Sequence, residues 1–168
     1  MSKKISFTFD GKKYFGNDGD TLASALLRND VFLVGRSFKY HRPRGILGAG
    51  SEEPNALVQL ESKGFTEPNV KATEVLLYEG LKAHSQNNWP SLKKDFGSIN
   101  NFLSPFFPAG FYYKTFMWPP KFWKKYEYFI RHTAGLGKSP KENDPHKYEH
   151  IHYHCDYLIV GGGVSGIL

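Results

Sequence analysis

The sequence has very little cysteine: Cys155 is the single one among 168 residues. One thiol cannot form an internal disulfide, so a disulfide-stapled secreted domain is excluded and a reducing cytoplasm is the expected location. No apolar run approaches the roughly 18 residues that a membrane-spanning helix needs. Residues 1–6 carry positive charge, but no apolar stretch follows them, as it would in a secretory signal. We therefore expect a cytoplasmic protein without a membrane partner.

Acidic residues are also in deficit. There are 16 Asp and Glu against 22 Lys and Arg, which gives a formal charge of +6. Such an excess is compatible with nucleic acid, a dinucleotide or an acidic partner subunit, and equally with a basic surface that only faces water. Charge alone leaves these four interpretations open.

Aromatic residues, in contrast, are abundant, with 14 Phe, 10 Tyr and 3 Trp. They concentrate between Phe102 and Phe129. This density exceeds what one small core needs, and aromatic side chains are favoured at buried contacts between domains and subunits. The stretch therefore predicts a surface that packs against another part of a larger protein.

Local patterns in the first half predict an α+β domain. Alternating apolar residues predict a strand at Lys4–Phe9, and Asp10-Gly11 predicts a hairpin turn. The further elements that we expect are a return strand at 13–15, a helix at Thr21–Arg28 with Asp20 as its N-cap, and strands at Val31–Val34, Ala56–Leu60 and Ala72–Tyr78. Strand, hairpin, helix and strand in this order are typical of a β-grasp fold of the ferredoxin and ubiquitin type.

The character of the sequence changes after Gln86. A short helix is predicted at Phe96–Leu103 and a longer one at Lys121–Ala134, opened by prolines and closed by Gly135 and Gly137. Polar residues 138–145 resemble a linker.

Near the C-terminus, the apolar residues 157–160 predict a buried strand, and a glycine loop follows directly. Gly161, Gly163 and Gly166 fit the pattern G-x-G-x-x-G. In a dinucleotide-binding domain the first glycine allows a tight turn, the second allows close approach of a pyrophosphate and the third allows helix to pack on strand. Only two residues follow Gly166, so the crossover helix and acidic ribose ligand lie outside this sequence, and we expect the chain alone to have no useful cofactor affinity.

Two further patterns could carry chemistry. His150, His152 and His154 precede Cys155, but residues along one strand face form a row and not a tetrahedral cage, so we predict no metal site. The basic segment Arg36–Arg44 is expected to contact another domain or subunit, with nucleic acid and plain solvent exposure as alternatives. We find no nucleophile–base set and predict no catalytic residue.

Long, uncommon strings identify a resemblance. Residues 36–47 (RSFKYHRPRGIL), 50–58 (GSEEPNALV), 85–92 (SQNNWPSL) and 103–119 (LSPFFPAGFYYKTFMWP) resemble the N-terminal part of the alpha subunits of heterotetrameric sarcosine oxidases, as does the approach to the glycine loop. Opine and amine dehydrogenase subunits share the architecture but match the middle section less well.

This resemblance implies a parent subunit that assembles with beta, gamma and delta subunits into a complex that oxidatively demethylates sarcosine to glycine. The complex passes the one-carbon unit to folate or releases formaldehyde, and makes hydrogen peroxide. It further implies FAD in the beta subunit, FMN near the alpha–beta contact, and NAD at the glycine loop of the alpha subunit. Only Gly161, Gly163 and Gly166 of that NAD site fall within this chain.

Relatives of this fold that hold a [2Fe–2S] cluster use C-x4-C-x2-C and a later cysteine. Alignment on this pattern puts Gly48, Glu53 and Ala56 at the thiolate positions. We therefore expect a β-grasp domain at 1–85 that has lost its cluster, an aromatic-rich helical extension at 86–150, and the first strand and glycine loop of a truncated Rossmann-type FAD/NAD-binding domain at 151–168. The alternatives are part of an opine, amine or cyanide-forming amino-acid oxidase subunit, or a stand-alone basic β-grasp binding module.

Overall fold

The computed structural model of the chain describes residues 3–61, 66–106 and 118–168. Its strands are β1 (Lys4–Phe9), β2 (Lys12–Asn17), β3 (Gly35–Arg36), β4 (Pro43–Arg44), β5 (Leu57–Leu60), β6 (Glu67–Lys71) and β7 (Leu81–Ser85). Its α-helices are α1 (Leu22–Arg28), α2 (Trp123–Ala134) and α3 (Val164–Ile167), and 3-10 turns lie at Phe96–Asn101, Ser104–Phe106 and Pro120–Phe122.

Five of the strands form one mixed sheet in the order β2-β1-β7-β5-β6. β1 and β7 are parallel neighbours, with Phe7 opposite Leu81, and the other pairs are antiparallel. β3 and β4 form a separate two-stranded ribbon within the basic segment. Strands and helices mixed along one chain confirm the α+β class.

The first hairpin forms where the sequence predicts it. Asp10 and Gly11 have φ angles of 49° and 77°, the positive values that a two-residue turn of the primed type requires. Ile5, Phe7 and Phe9 consequently point to one side of β1, and all three are buried. Burial of each such side chain contributes about 1.5–3 kcal/mol, so this face of β1 is a main source of core stability.

Helix α1 covers this core with Leu22, Ala25 and Leu26, which are fully buried. Its N-cap is Thr21 and not Asp20: the Thr21 hydroxyl accepts from the amide of Ser24 at 3.2 Å, and the Ser24 hydroxyl accepts from the amide of Thr21 at 3.0 Å. The Asp20 carboxylate instead accepts from the amide of Asn17 at 2.8 Å and pairs with Arg28 at 3.0 Å. A capping box satisfies two helix-end amides at once, which explains why the hydroxyl residue takes the cap.

Two predicted strands are wrong. Residues 31–34 form no strand, although Val34 is buried and its amide donates to the Arg44 carbonyl at 3.0 Å. Residues 72–78 contain a turn and one isolated bridge, at Leu76, and the real strands β6 and β7 flank them. Apolar side chains there fill the core from irregular backbone, so apolar character alone does not indicate a strand.

The two helices predicted after Gln86 lie close to their predicted positions. The turn at Phe96–Asn101 is 3-10 in place of a short α-helix, and α2 ends at Ala134, before Gly135 with φ of 61°. Part of the predicted aromatic surface, residues 107–117, lies outside the described residues. Within the described part, no helix is both long and apolar enough to cross a membrane.

Candidate functional site

The loop of residues 45–56 closes around the side chain of Glu53, which is 1% exposed. Four backbone N–H groups donate to its two carboxylate oxygens: Leu47 at 2.7 Å and Gly48 to Oε2, and Asn55 at 2.7 Å and Ala56 at 3.1 Å to Oε1. The three positions that the sequence aligns with thiolate ligands are Gly48, Glu53 and Ala56. The structure brings them together, because the amides of Gly48 and Ala56 both donate to the Glu53 carboxylate.

Two opposing effects act on the Glu53 carboxyl. Burial raises its pKa, because a charge is poorly solvated away from water, whereas hydrogen bonds from the amides of Gly48, Asn55, Leu47 and Ala56 lower it. The hydrogen bonds together prevail, and the pKa of Glu53 lies below its ordinary value. Glu53 is therefore a buried anion whose charge is balanced by backbone dipoles.

The neighbouring Glu52 supports the outer part of the same loop. It accepts from the amides of Ala49 at 2.8 Å and Gly50 at 2.9 Å. A later segment also reaches the loop: Thr73, which is buried, donates its hydroxyl hydrogen to the Gly50 carbonyl at 2.8 Å. The ammonium group of Lys71 also donates to the Ser51 carbonyl, so the loop is fixed by its own two carboxylates and by the side chains of Lys71 and Thr73.

These residues do not fit an iron–sulfur cluster. A [2Fe–2S] cluster of this type is held by four cysteine thiolates. Gly48, Glu53 and Ala56 supply no sulfur, and the one cysteine of the sequence, Cys155, is exposed and lies beyond the extension. The donor chemistry of the loop is instead that of a backbone cradle around an oxygen anion.

A second buried polar cluster joins the basic segment to the start of the extension. His41 Nδ1 lies 2.7 Å from Asp95 Oδ2, and the Asp95 side chain is completely buried. The Asp95 carboxylate also accepts from the amides of Trp89 at 3.0 Å and Gly97 at 3.2 Å. Arg36 donates from Nε to the Leu92 carbonyl at 2.9 Å.

This cluster explains part of the basic segment Arg36–Arg44. Two of its side chains, Arg36 and His41, hold residues 89–97, and Arg42 donates a hydrogen bond to Asn101 at 2.9 Å. The segment thus contacts the predicted extension within the same chain. The structure gives these residues a packing role, and does not test the contact with another subunit that the sequence also suggests.

Three amide side chains of the sheet hold the segment that follows α2, and we name Gln59, Asn69 and Gln86 the amide clamp. Gln59 donates to the Lys138 carbonyl at 2.9 Å and accepts from the Lys138 amide at 3.0 Å. Asn69 donates to the Leu136 carbonyl at 2.8 Å, and Gln86 to the Gly135 carbonyl at 3.1 Å. The clamp fastens the end of the extension to β5 and β6 and to the end of β7. No feature of the sequence singles out these amides, because their partners lie far away along the chain.

The glycine loop is present without the strand expected before it. Residues 157–160 form no strand, and Ile159, the least exposed of them, is still 68% exposed. A strand requires a hydrogen-bonded neighbour, and no described strand lies beside them. Gly161 adopts a φ of 108°, and a Cβ on Gly166 would meet the Gly161 carbonyl oxygen at 2.6 Å. Glycine is thus required sterically at these two positions, while Gly163 precedes α3 in open space.

The remaining residues singled out by sequence lie apart from these sites. His150, His152, His154 and Cys155 are all exposed. Among the residues that the structure describes, no group of three or more His, Cys, Asp and Glu is placed to hold a metal ion. Phe102, Trp118 and Phe129, at the two described ends of the aromatic stretch, are largely exposed.

Residues 2–88 match the family described as 2Fe-2S iron-sulfur cluster binding domain. Over 97% of its length the chain is 61% identical to sarcosine oxidase subunit alpha of Rhizobium meliloti (strain 1021), of which it spans 17%. It is 30% identical over 97% of its length to sarcosine oxidase subunit alpha of Corynebacterium sp. (strain U-96), of which it spans 12%. The resemblance drawn from the sequence strings is thereby confirmed.

Among solved structures, the crystal structure of L-proline dehydrogenase from P. horikoshii aligns with 54% of this chain and 17% of its own, with a TM-score of 0.41 and 24% sequence identity. This is too distant a likeness to add to the family match.

Proposed function

Since the chain belongs to the 2Fe-2S iron-sulfur cluster binding domain family by its match over residues 2–88, we propose that it keeps the fold of that family without the cluster and serves as a scaffold and interface. The larger protein would be the alpha subunit of a sarcosine oxidase. The three parts of this chain would be the β-grasp domain at 1–85, the extension at 86–150 and the beginning of a dinucleotide-binding domain at 151–168.

One observation carries the assignment to sarcosine oxidase: 61% identity to an alpha subunit of that enzyme over 97% of this chain. The identity extends through the extension and the glycine loop, beyond the family match at 2–88. A free-standing β-grasp binding module would have no reason to share those later segments. The chain spans less than a fifth of the relative, so the activity of the whole subunit is a proposal.

The scaffold role agrees with how the polar side chains are used. Among the described residues, no buried side-chain nitrogen or oxygen lacks a hydrogen-bond partner. Glu53 and Asp95, the two buried carboxylates in the part of the chain that the structure describes, each accept hydrogen bonds from backbone amides and so hold loops in place. Acid–base catalysis needs a titratable group that can reach substrate, and these two do not offer it.

Cofactors and partners of the larger enzyme follow from the same proposal. Gly161, Gly163 and Gly166 would begin the NAD site, with the remaining ligands supplied by residues beyond this chain. FAD and FMN would be held elsewhere in the complex, with beta, gamma and delta subunits as partners, in the cytoplasm. The exposed Phe102, Trp118 and Phe129 would be covered by the rest of the alpha subunit or by a partner subunit.

The test uses the full-length alpha subunit co-expressed with its neighbouring subunits. Sarcosine is added anaerobically and flavin absorbance is followed, with an opine and glycine as matched additions. We expect rapid bleaching by sarcosine alone, because substrate oxidation transfers two electrons to flavin. Bleaching by the opine and not by sarcosine would contradict the proposal and favour the opine or amine dehydrogenase relatives. A flavin-loaded complex that no substrate bleaches would also contradict it.

A further inference from the structure

The loop that surrounds an iron–sulfur cluster in this family surrounds a side chain here. Glu53 occupies the middle position of the aligned C-x4-C-x2-C pattern, and the flanking positions are Gly48 and Ala56. The amides of both flanking residues donate to the Glu53 carboxylate. Glu53, which stands at a position aligned with a metal ligand, thus accepts hydrogen bonds from both of the other aligned positions in the loop.

Iron–sulfur clusters are anionic, and their sulfurs are stabilised by hydrogen bonds from the protein. In a loop that has lost its cluster, inward-pointing N–H groups would be left without acceptors, and each buried unsatisfied group costs about 1–3 kcal/mol. We propose that the Glu53 carboxylate replaces the cluster as the internal anion that organises the loop of residues 45–56.

The geometry distinguishes Glu53 from an ordinary loop carboxylate. Glu52 accepts from amides two and three residues before it, as in a local turn, and is exposed. Glu53 accepts from amides on both sides of itself, at 47–48 and at 55–56, and is 1% exposed. Only the second arrangement ties the two ends of the loop together, as a cluster held from both ends would do.

The structure also indicates where a fourth ligand would come from. Thr73 is a small buried polar residue that a later segment brings against the loop, with its hydroxyl bonded to the Gly50 carbonyl. The cluster pattern requires one later cysteine in addition to the three in the loop. We assign Thr73 to this fourth position, so that Gly48, Glu53, Ala56 and Thr73 together would mark the former cluster site that the Glu53 carboxylate now occupies. This inference depends on the fold and not on the proposed oxidase activity.

The first test is hydrogen exchange of the loop amides by NMR in this 168-residue chain, comparing Glu53→Gln with Glu52→Gln. Glutamine keeps the size of the side chain but presents an N–H₂ donor where an oxygen accepted. We expect exchange of the Leu47, Gly48, Asn55 and Ala56 amides to rise about tenfold or more in Glu53→Gln. In Glu52→Gln only Ala49 and Gly50 should change. Unchanged exchange at the four amides of a folded Glu53→Gln chain would overturn the proposal.

The second test does not depend on the stability of Glu53→Gln. Cysteines are introduced at all four positions (Gly48→Cys, Glu53→Cys, Ala56→Cys and Thr73→Cys), and the chain is reconstituted anaerobically with iron and sulfide. We expect the visible absorbance and, after reduction, the electron paramagnetic resonance signal of a [2Fe–2S] cluster, and neither signal in the wild-type chain. A folded four-cysteine chain without these signals would show that the loop is not a cluster seat and would overturn the proposal.

Discussion

Two segments of this molecule have strand-like sequences, and only one of them forms a strand. β1 alternates polar and apolar residues, and its Ile5, Phe7 and Phe9 are at most 5% exposed. Residues 157–160 are continuously apolar, yet Val160 is 88% exposed. The more hydrophobic segment is the one that stays outside the sheet.

The difference lies in the available partners. β1 is hydrogen-bonded on one edge to β2 and on the other to β7. Residues 157–160 follow a long exposed stretch and have no described strand beside them. Backbone N–H and C=O groups must be paired when they leave water, so a hydrophobic segment enters a sheet only where neighbours accept its hydrogen bonds. The pattern of apolar residues determines which face of a strand is buried. Hydrogen bonding to a neighbouring strand determines whether the segment is buried at all.

The largest loss of stability is expected in β1, which is hydrogen-bonded to a neighbouring strand on both edges. Phe7→Ala removes a side chain that is 1% exposed and packs against Tyr14 with ring centroids 5.7 Å apart. We expect the free energy of unfolding to fall by about 3–5 kcal/mol, as is typical of a Phe-to-Ala change in a core. Urea denaturation of the chain measures it, with the exposed Phe32→Ala as control. A loss below about 1 kcal/mol in Phe7→Ala would show that β1 is not central to the core.

A smaller loss of stability is expected when acid protonates the Glu53 carboxylate. Its pKa is lowered by folding, so its contribution to stability is complete above the unfolded-state pKa and disappears as the pH falls through the folded-state pKa. We expect wild type to exceed Glu53→Gln in stability by about 1–3 kcal/mol at neutral pH. The difference should shrink in acid, because the glutamine side chain of the variant does not titrate.

Parallel denaturation curves of the two chains from neutral to strongly acid pH provide the measurement. Subtracting one from the other removes the contributions of Glu52, Glu79 and Asp144, whose pKa values are also lowered. A difference that is constant with pH would mean that folding does not lower the pKa of Glu53.

The two segments also show which parts of this structure a sequence can predict. β1, the Asp10-Gly11 turn and α1 depend on contacts between neighbours in the chain, and their positions were predicted almost to the residue. β6 and β7 were missed. β6 is a polar strand that contains Pro68, which is tolerated because β6 is an edge strand, and β7 pairs with β1, which lies far away along the chain.

In the candidate sites, too, the sequence predicts some features and only the folded chain shows the others. Sequence alignment places Glu53 at a lost ligand position, but only the folded loop shows that its carboxylate accepts four amides. Local sterics explain why residues 161 and 166 are glycines, whereas the dinucleotide site that we propose for Gly161 and Gly166 would depend on residues outside this chain. Local sequence patterns thus single out these residues, and for Glu53 the folded loop shows which hydrogen bonds its side chain accepts.

A substitution in the amide clamp tests whether hydrogen bonds to the sheet also hold the residues after α2 in position. Gln59→Ala removes both hydrogen bonds to Lys138, which together contribute roughly 1–2 kcal/mol. We expect little change in global stability and about tenfold faster tryptic cleavage after Lys138 and Lys141, because local opening becomes easier. Lys82→Ala, an exposed residue of β7, is the control. Equal cleavage rates in the two variants would show that the clamp does not hold this segment.

The smallest loss of stability is expected in residues 157–160, the continuously apolar segment. Ile159→Ala should change the free energy of unfolding of this chain by less than about 0.5 kcal/mol, because its side chain is 68% exposed and contributes little buried area. The matched comparison is Ile5→Ala, the same substitution in β1, which should cost about 2–5 kcal/mol. Both are measured by urea denaturation at equal chain concentration. In a longer chain that supplies a parallel neighbour for residues 157–160, the cost of Ile159→Ala should rise toward that of Ile5→Ala. If it stays near zero there as well, pairing is not what these residues lack, and the contrast with β1 must have another cause.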